Sequence, residues 1–264
     1  MFREGKIRVD RSDYTKINAQ TWDVWARGGC EWSVPVSHEE YAAAQKGEWG
    51  VYLTPCKTVP KEWFLPLQGA RLLGLASGGG QQMPIFTALG ARCMVFDYSD
   101  VQLESERQVA LREGYAIDIV KGDMTQRLPF ADESFDMVFH PVSNCYIEDV
   151  YPVWKECFRV LRKGGVLLAG FDNGLNFLFE DDNPLTVVNK LPFNPLRMEE
   201  SRYRQMVEQY EGVQFSHTME EQIGGQLKAG FVLTDLIEDR DRPGGAKIGE
   251  YAPQYIATRA VKPQ

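Results

Sequence analysis

The chain has 264 residues, enough for one large α/β domain with an elaborated edge or for two small domains. Its 29 Lys and Arg residues against 37 Asp and Glu residues give a net charge of −8, which disfavours nucleic acid or another polyanion as a partner. No apolar run approaches the roughly 20 residues that a membrane-spanning helix needs, so no membrane partner is expected.

The five cysteines are an odd number and are scattered without a C-x-x-C pair. This pattern is typical of reduced thiols in a cytoplasmic protein rather than of a disulfide framework or a zinc site. Residues 1–6 lack the apolar core of a signal peptide, which agrees with a cytoplasmic location.

Residues 1–68 are rich in aromatic residues and show little strand pattern. Ser37 and Glu40 form a capping-box pattern, which predicts a helix that runs to Gly47. We interpret 1–68 as a helical, aromatic cap. Its aromatic side chains either pack against the main domain or line a ligand pocket and exclude water from it.

From residue 69 onward, strand patterns alternate with helix patterns. Helices are predicted up to Gly90, from Ser99 to Gly114 and over about 150–161, the last followed by a turn at 162–165. Strands are predicted over 71–76, 92–96, 116–120, 135–139 and 166–171. This alternation predicts an α/β fold with a doubly wound, mostly parallel sheet.

Residues 174–215 interrupt the alternation, and we interpret them as an insertion with an amphipathic helix over 198–210. Thr218 and Glu221 then predict the start of a helix that ends at Gly230. Two last strands, over 231–238 and 255–260, complete a seven-stranded sheet. We therefore expect one domain over 1–264, made of the cap, a core over 69–173, the insertion, and a closing part over 216–264.

Residues 72–80 form the central motif, in which an apolar run breaks into three consecutive glycines. Pro84 follows where the first turn of a helix tolerates proline. A strand, a glycine turn and a helix start bring backbone close to a ligand at the carboxyl end of a strand. The helix start attracts an anionic group, although an ordinary loop between strand and helix also fits these residues.

The next three strands also end in residues of a type that binds ligands, namely Asp97, Asp123 and His140. Asp97, about twenty residues beyond the glycine turn, is placed to accept hydrogen bonds from ribose hydroxyls. Asp123 is placed to accept a hydrogen bond from an adenine amine, with Met124 against the ring. Alone, each acid also fits a turn or a helix cap, but together they favour a nucleoside ligand. The motif lacks the G-x-G-x-x-G spacing of dinucleotide folds and a P-loop.

In this order, the motifs resemble those of the class I S-adenosylmethionine (SAM)-dependent methyltransferases, especially the UbiE-like small-molecule branch. The resemblance covers about residues 69–172. It is carried by residues 73–80 as the first motif, 97–99 as the second-strand acid and helix cap, 122–136 as the adenine-binding segment, and 160–165 as the turn before strand five.

The resemblance implies SAM as cofactor. The residues that it implies around SAM are Ala76, Ser77, Gly78, Gly80, Gln82, Asp97, Tyr98, Asp123, Met124 and His140. Two positions depart from the family pattern, because Gly74 stands where the family usually has an acid and Ala76 where it has a glycine. We therefore expect another group to receive the SAM amine.

Catalysis is expected to rest mainly on proximity and alignment. His140 is the predicted general base, because its ordinary pKa near 6.5 suits that role, although a structural role for its ring also fits. The predicted acceptor contacts are Trp22, Trp25, Asn144 and Tyr146. Pro141, where metal-dependent enzymes of this fold need a carboxylate, argues against a metal.

The acceptor itself is expected to be a small organic molecule, held under the cap and the insertion. Amino-group enzymes of this fold often carry Asn/Asp-Pro-Pro-aromatic at the positions of residues 140–143. This chain keeps only one of these prolines, which weakens the interpretation that the acceptor is an amine. The alternatives are a non-catalytic protein that binds SAM or S-adenosylhomocysteine and a nicotinamide-dependent oxidoreductase. The sequence leaves open the acceptor, the methylated atom and the oligomeric state.

Overall fold

The computed structural model describes residues 10–179 and 185–264, so the interpretation of residues 1–6 lies outside the described residues. One seven-stranded sheet forms its centre. The strands are β1 (Arg71–Leu75), β2 (Arg92–Asp97), β3 (Asp118–Lys121), β4 (Phe135–His140), β5 (Leu161–Asp172), β6 (Val232–Asp239) and β7 (Tyr255–Val261).

The strands lie in the order β3-β2-β1-β4-β5-β7-β6. The first five pair in parallel, and β7 runs antiparallel to both β5 and β6. The prediction of a doubly wound, mostly parallel seven-stranded sheet is therefore confirmed. Because the chain leaves β1 toward β2 and later returns to β4 on its other side, a crevice opens between the carboxyl ends of β1 and β4.

Three helices begin at the caps that the sequence predicts, and two of these end at the predicted glycine. Ser37 and Thr218 each form a complete capping box, and Ser99 accepts the Gln102 amide. Gly114 and Gly230 end their helices in the left-handed conformation. The helices are α1 (Tyr14–Arg27), α2 (His38–Gln45), α3 (Met83–Ala88), α4 (Asp100–Glu113), α5 (Tyr151–Val160), α6 (Glu200–Glu208) and α7 (Met219–Ala229).

The central strands β1, β4 and β5 are buried on both faces. Because successive strand residues point to opposite sides, each face packs against its own core cluster. Leu73 belongs to a core cluster with α5, and Leu72 belongs to a second cluster with α3 and the cap. None of the helices within 10–179 and 185–264 is both long and apolar enough to cross a membrane.

The N-terminal cap is fastened to the far edge of the sheet through the end of β6. Asp239 is buried and accepts hydrogen bonds from the Thr54 hydroxyl and from the amides of Cys56 and Lys57, each at 2.8 Å. Burial by itself raises the pKa of Asp239, but these hydrogen bonds outweigh it and lower the pKa. Trp63 of the cap is buried in the second core cluster, so cap and sheet share one core.

Strand β5 is longer than predicted at both ends. It begins at Leu161, which pairs with Phe135, and the predicted turn at 162–165 is a bulge inside the strand. The bulge is held by backbone hydrogen bonds between Lys262 and Gly164 and between Lys262 and Gly165, both at 2.9 Å. At its other end the strand includes Asp172, because β7 pairs with it as far as that residue.

The predicted insertion packs on the N-terminal helix. Tyr203 and Met206 of α6, with Val213 and Phe215, form a third buried cluster against Tyr14 and Ile17. The helix predicted over 198–210 spans Glu200–Glu208. Helix α1 thus contacts the insertion, and both lie over the carboxyl edge of the sheet.

Candidate active site

A cavity of about 1310 Å³ follows the carboxyl edge of the sheet beneath the cap and the insertion. Ten of the predicted site residues line it, at the ends of β1 and β2, after β3 and under the cap. They are Ala76, Ser77, Gly78, Gln82, Asp97, Tyr98, Asp123, Met124, Trp22 and Tyr146.

The glycine turn is joined to β2 by backbone and side chain. The amide of Gly78 donates to Asp97 Oδ2 at 2.9 Å, and Ser77 Oγ donates to Gln82 Oε1 at 3.0 Å. A Cβ at position 78 would lie 2.8 Å from Gln102 Cβ and 3.0 Å from Asp97 Oδ2. Only glycine therefore fits between these two side chains.

The two departures from the family pattern have local explanations. A Cβ at position 74 would lie 2.7 Å from the sulfur of Met83, so Met83 occupies the space that an acidic side chain would need. Ala76 adopts a φ of 48°, the left-handed region that favours glycine. Ala76 therefore has the backbone conformation that suits a glycine, the residue that the family usually has at this position.

Gly80 faces away from the cavity, unlike the other predicted residues of the turn. Its amide donates to Glu106 Oε2 at 3.0 Å, and its carbonyl accepts from the Val36 amide at 2.9 Å. Glu106 is fully buried in α4, and burial raises the pKa of its carboxyl to about 8. Gly80 thus connects the turn to α4 and to the cap.

Asp97 is held in place by two amides. Its Oδ1 accepts from the Ser99 amide at 3.0 Å and its Oδ2 from Gly78. Burial raises its pKa, and the hydrogen bonds from Ser99 and Gly78 act against that rise. Because each carboxylate oxygen can accept more than one hydrogen bond, Asp97 can also accept hydrogen bonds from a ligand.

Asp123 and Met124 line the neighbouring part of the wall, beyond β3. Asp123 Oδ1 accepts from the amide and the hydroxyl of Thr125 at 2.9 and 2.7 Å. Met124 is buried in the first core cluster, near Phe96. This region combines a fixed carboxylate with an apolar surface.

Gln102 lines the cavity and is not among the site residues that the sequence predicts. Its side-chain Oε1 is buried without a hydrogen-bond partner among the described residues. A buried acceptor without a partner costs stability unless something else satisfies it. Its place beside Asp97 and the glycine turn therefore suits a ligand that carries a donor.

His140 lies behind the cavity wall and does not line it. The ring is fully buried, with Nδ1 donating to the Leu75 carbonyl at 2.9 Å and Nε2 lying 2.9 Å from Asn144 Oδ1. Burial lowers its pKa. The ring thus connects β1 to the segment after β4 from behind the wall, whereas the sequence predicts a general base at the ligand.

Asn144 is also excluded from the cavity, in contrast to its predicted contact with the acceptor. Its side chain connects His140 to Gln222 of α7 at 2.8 Å. Its backbone carbonyl lies 3.0 Å from Nε2 of His217. A buried polar network therefore fixes the segment after β4, and the sequence does not predict this network.

The aromatic residues predicted to line the acceptor side form one cluster. The Trp22 ring lies 5.1 Å from that of Trp25 and 5.5 Å from that of Tyr146, centroid to centroid. Trp22 and Tyr146 face the cavity, whereas Trp25 packs behind them. Asn18 fixes the cluster by donating to the Tyr146 carbonyl at 3.0 Å.

Asp172 and Asn176 line the cavity and were missed by the sequence analysis. Asp172 ends β5 just as Asp97 ends β2, so the same strand-end rule would have found it had the strand been extended by one residue. Among residues 10–179 and 185–264, no group of His, Cys, Asp and Glu side chains is arranged to hold a metal ion.

Comparison with known proteins bears on the identity of the site. Residues 73–169 match the family model described as a methyltransferase domain. An uncharacterized methyltransferase of Bacillus subtilis, YbaJ, is 42% identical over 250 residues, which cover 93% of this chain and 97% of that protein. A demethylmenaquinone methyltransferase of Mycobacterium sp. (strain KMS) is 38% identical over 101 residues, covering 38% of this chain and 41% of that protein.

Solved methyltransferase structures share this fold. An S-adenosylmethionine-dependent methyltransferase from Mesorhizobium loti superposes with a TM-score of 0.56 at 17% identity, covering 76% of this chain and 94% of that one. The likeness to YbaJ extends over 93% of this chain. The matching domain model and the shared fold agree with it and with the motifs in residues 73–136. The chain therefore belongs to the class I methyltransferase family, and S-adenosylmethionine is its cofactor.

Proposed function

We propose that this methyltransferase transfers the methyl group of SAM to a small organic acceptor bound beneath the cap and the insertion. The observation that carries this proposal is the continuous cavity of about 1310 Å³ at the carboxyl edge of the sheet. It exceeds the roughly 300–1,000 Å³ of a pocket for one small ligand. It therefore has room for a cofactor and an acceptor together.

The residues at the ends of β1 to β3 suit SAM. Asp97, with Gln102 Oε1 beside it, offers acceptors to the ribose hydroxyls. Asp123 offers an acceptor to the adenine amine, while Met124 and Tyr98 supply flat or apolar contacts. The turn at Ala76, Ser77 and Gly78, with Gln82, borders the methionine part. This assignment is supported by the space that only glycine leaves at position 78 and by the unpartnered Gln102 oxygen.

When bound, SAM supplies an activated methyl group on a sulfonium. The contribution of the chain is to align the acceptor with that group and to exclude water. Trp22 and Tyr146 are fixed by ring contacts and by Asn18, so they offer a preorganised wall rather than a mobile one.

A small acceptor is favoured over a macromolecule by the position of this wall. The cavity lies beneath α1 and the insertion, and the net charge of −8 disfavours nucleic acid. We further propose a cytoplasmic location, because all five cysteines are free thiols and three of them are buried.

The proposal is tested by calorimetric titration of the protein with SAM and with S-adenosylhomocysteine, followed by assays with methyl-labelled SAM and a panel of small acceptors. Micromolar binding of both compounds and labelled product are expected. Binding without any product would favour the non-catalytic SAM-binding alternative. No binding of either compound would overturn the cofactor assignment at Asp97 and the glycine turn.

A further inference from the structure

A carboxylate on the cavity wall has no part in the SAM site proposed above. Asp172 is 4% exposed and lines the cavity at the end of β5. In the sheet, β5 lies two strand spacings from β1, about 10 Å along the edge. His140, the last residue of β4, is in register with Ala169, so Asp172 projects beyond the end of β4. It therefore lies on the acceptor side of the cavity.

Asp172 has no ion-pair partner among the described residues. No Lys, Arg or His nitrogen within 10–179 and 185–264 lies within 4 Å of its carboxylate. The titratable groups that face it are Cys145 and Tyr146 after β4 and Tyr255 of β7, whose pKa values burial raises. They are thus neutral at pH 7. Burial raises the pKa of Asp172 to about 6, while the Gly174 amide acts against that rise.

A second unused acceptor lies on the same wall. Asn176 Oδ1 is buried without a partner among the described residues, while its Nδ2 donates to the Tyr255 hydroxyl at 3.4 Å. Both Asn176 and Tyr255 line the cavity. A carboxylate and an amide oxygen on one wall suit a ligand that presents hydrogen-bond donors.

We propose that Asp172 is the general base of the methyl transfer and that the acceptor is a hydroxyl compound of the phenol or enol class, methylated on oxygen. This inference rests on the proposed function. The acceptor O–H bond breaks and its proton passes to the Asp172 carboxylate. The oxygen forms a bond to the methyl carbon as the carbon–sulfur bond breaks, and the electron pair of that bond stays on sulfur.

The same wall disfavours an amine acceptor. A buried carboxylate without a cationic partner stabilises an ammonium beside it. Protonation removes the lone pair that an amine needs for attack. A hydroxyl instead donates to the carboxylate and becomes more nucleophilic as its proton moves.

A purely structural role for Asp172 is separable from this one. Asp172 Oδ1 accepts from the Gly174 amide at 2.9 Å, a turn that asparagine also forms. Asp172→Asn therefore keeps the turn and removes the base. Asp149→Asn is the matched control, because Asp149 is exposed, lies outside the cavity and accepts from the Tyr151 amide at 2.9 Å in the same type of turn.

The experiment compares the parent, Asp172→Asn and Asp149→Asn with methyl-labelled SAM and two probes that share a ring system, 2-naphthol and the aliphatic amine 2-(aminomethyl)naphthalene. We expect methylation of 2-naphthol and a kcat lowered by about 10²–10⁴-fold in Asp172→Asn. Affinity for S-adenosylhomocysteine stays within twofold of the parent in both variants. In the parent, kcat/KM decreases when the pH drops below about 6, because Asp172 becomes protonated. In Asp172→Asn this decrease is absent.

Infrared difference spectra give a readout that needs no turnover. The parent is expected to show a protonated-carboxyl band that titrates near pH 6 and is missing in Asp172→Asn. Equal kcat and pH profile in Asp172→Asn, or preference for 2-(aminomethyl)naphthalene, would overturn the inference. So would S-adenosylhomocysteine binding with neither probe methylated, which leaves the proposed function standing. Absence of S-adenosylhomocysteine binding would overturn the proposed function itself.

Discussion

At the scale of single residues, Asp97 connects the glycine turn to the proposed ribose site. Asp97→Ala removes the acceptor of the Gly78 and Ser99 amides together with the proposed ribose contacts. Hydrogen bonds to charged groups contribute about 1.5–3 kcal/mol each, so we expect the Kd for S-adenosylhomocysteine to rise about 10- to 100-fold. Calorimetry measures this, and Asp118→Ala, an exposed acid outside the cavity, is the control. Unchanged affinity in Asp97→Ala would refute the ribose assignment.

Glu106 gives a residue-scale prediction about pH. Its pKa is raised by burial from the model-peptide value of 4.5 to about 8 in the folded state. The folded state therefore binds more protons than the unfolded chain between these two values, and stability falls as pH rises through that window. Glu106→Gln keeps an acceptor for the Gly80 amide and removes the buried charge.

We expect Glu106→Gln to raise Tm more at pH 8 than at pH 5, by about 2–4 °C for each kcal/mol regained. Thermal unfolding at both pH values measures this. Glu104→Gln serves as control, because Glu104 lies on the exposed side of the same helix. A gain that is the same at both pH values would contradict a raised pKa at Glu106.

At the scale of elements, the segment after β4 is held by His140. His140→Ala leaves the Leu75 carbonyl and Asn144 Oδ1 buried without their histidine partner. We expect a loss of about 2–4 kcal/mol in the free energy of unfolding by urea. His38→Ala is expected to cost less than about 1 kcal/mol, because that ring is exposed and its partner Glu113 keeps its pair with Arg112. A stable His140→Ala variant that binds S-adenosylhomocysteine but transfers no methyl group would restore the general-base role.

At the scale of the whole molecule, the loop between β6 and β7 connects to the cap across the cavity mouth. Arg242 pairs with Glu31, donates to the Pro55 carbonyl at 3.2 Å, and lies 4.4 Å from the ring centroid of Trp32. A surface ion pair and an exposed cation–π contact together contribute about 1–2 kcal/mol. This contact therefore limits opening of residues 30–36 rather than global unfolding.

We expect Arg242→Ala to increase hydrogen exchange of residues 30–36 by about 5- to 30-fold, with global Tm little changed. High salt should produce part of the same effect in the parent, because it screens the exposed pair. Arg240→Ala is the matched control, since Arg240 lies in the same loop but donates to the Gly249 carbonyl. Equal exchange in both variants would show that Arg242 does not hold the cap.

Local chemistry determined much of this protein. The caps at Ser37, Ser99 and Thr218 and the alternation of strands and helices depend on neighbouring residues, so the sequence predicted the helices, the parallel sheet and the ligand-binding edge. The motifs around Asp97 and Asp123 likewise indicate the family from the sequence alone. Each of these signals depends on residues a few positions apart in the chain.

Tertiary structure alone decided which way the functional side chains face. His140 and Asn144 are buried because partners from β1 and α7 occupy their polar atoms, and no local pattern reveals partners so distant in sequence. Met83 fills the space beside Gly74, and β7 extends β5 as far as Asp172. Burial and hydrogen bonding between distant segments therefore determine which strand-end residues reach the cavity, while the sequence determines where the strands end.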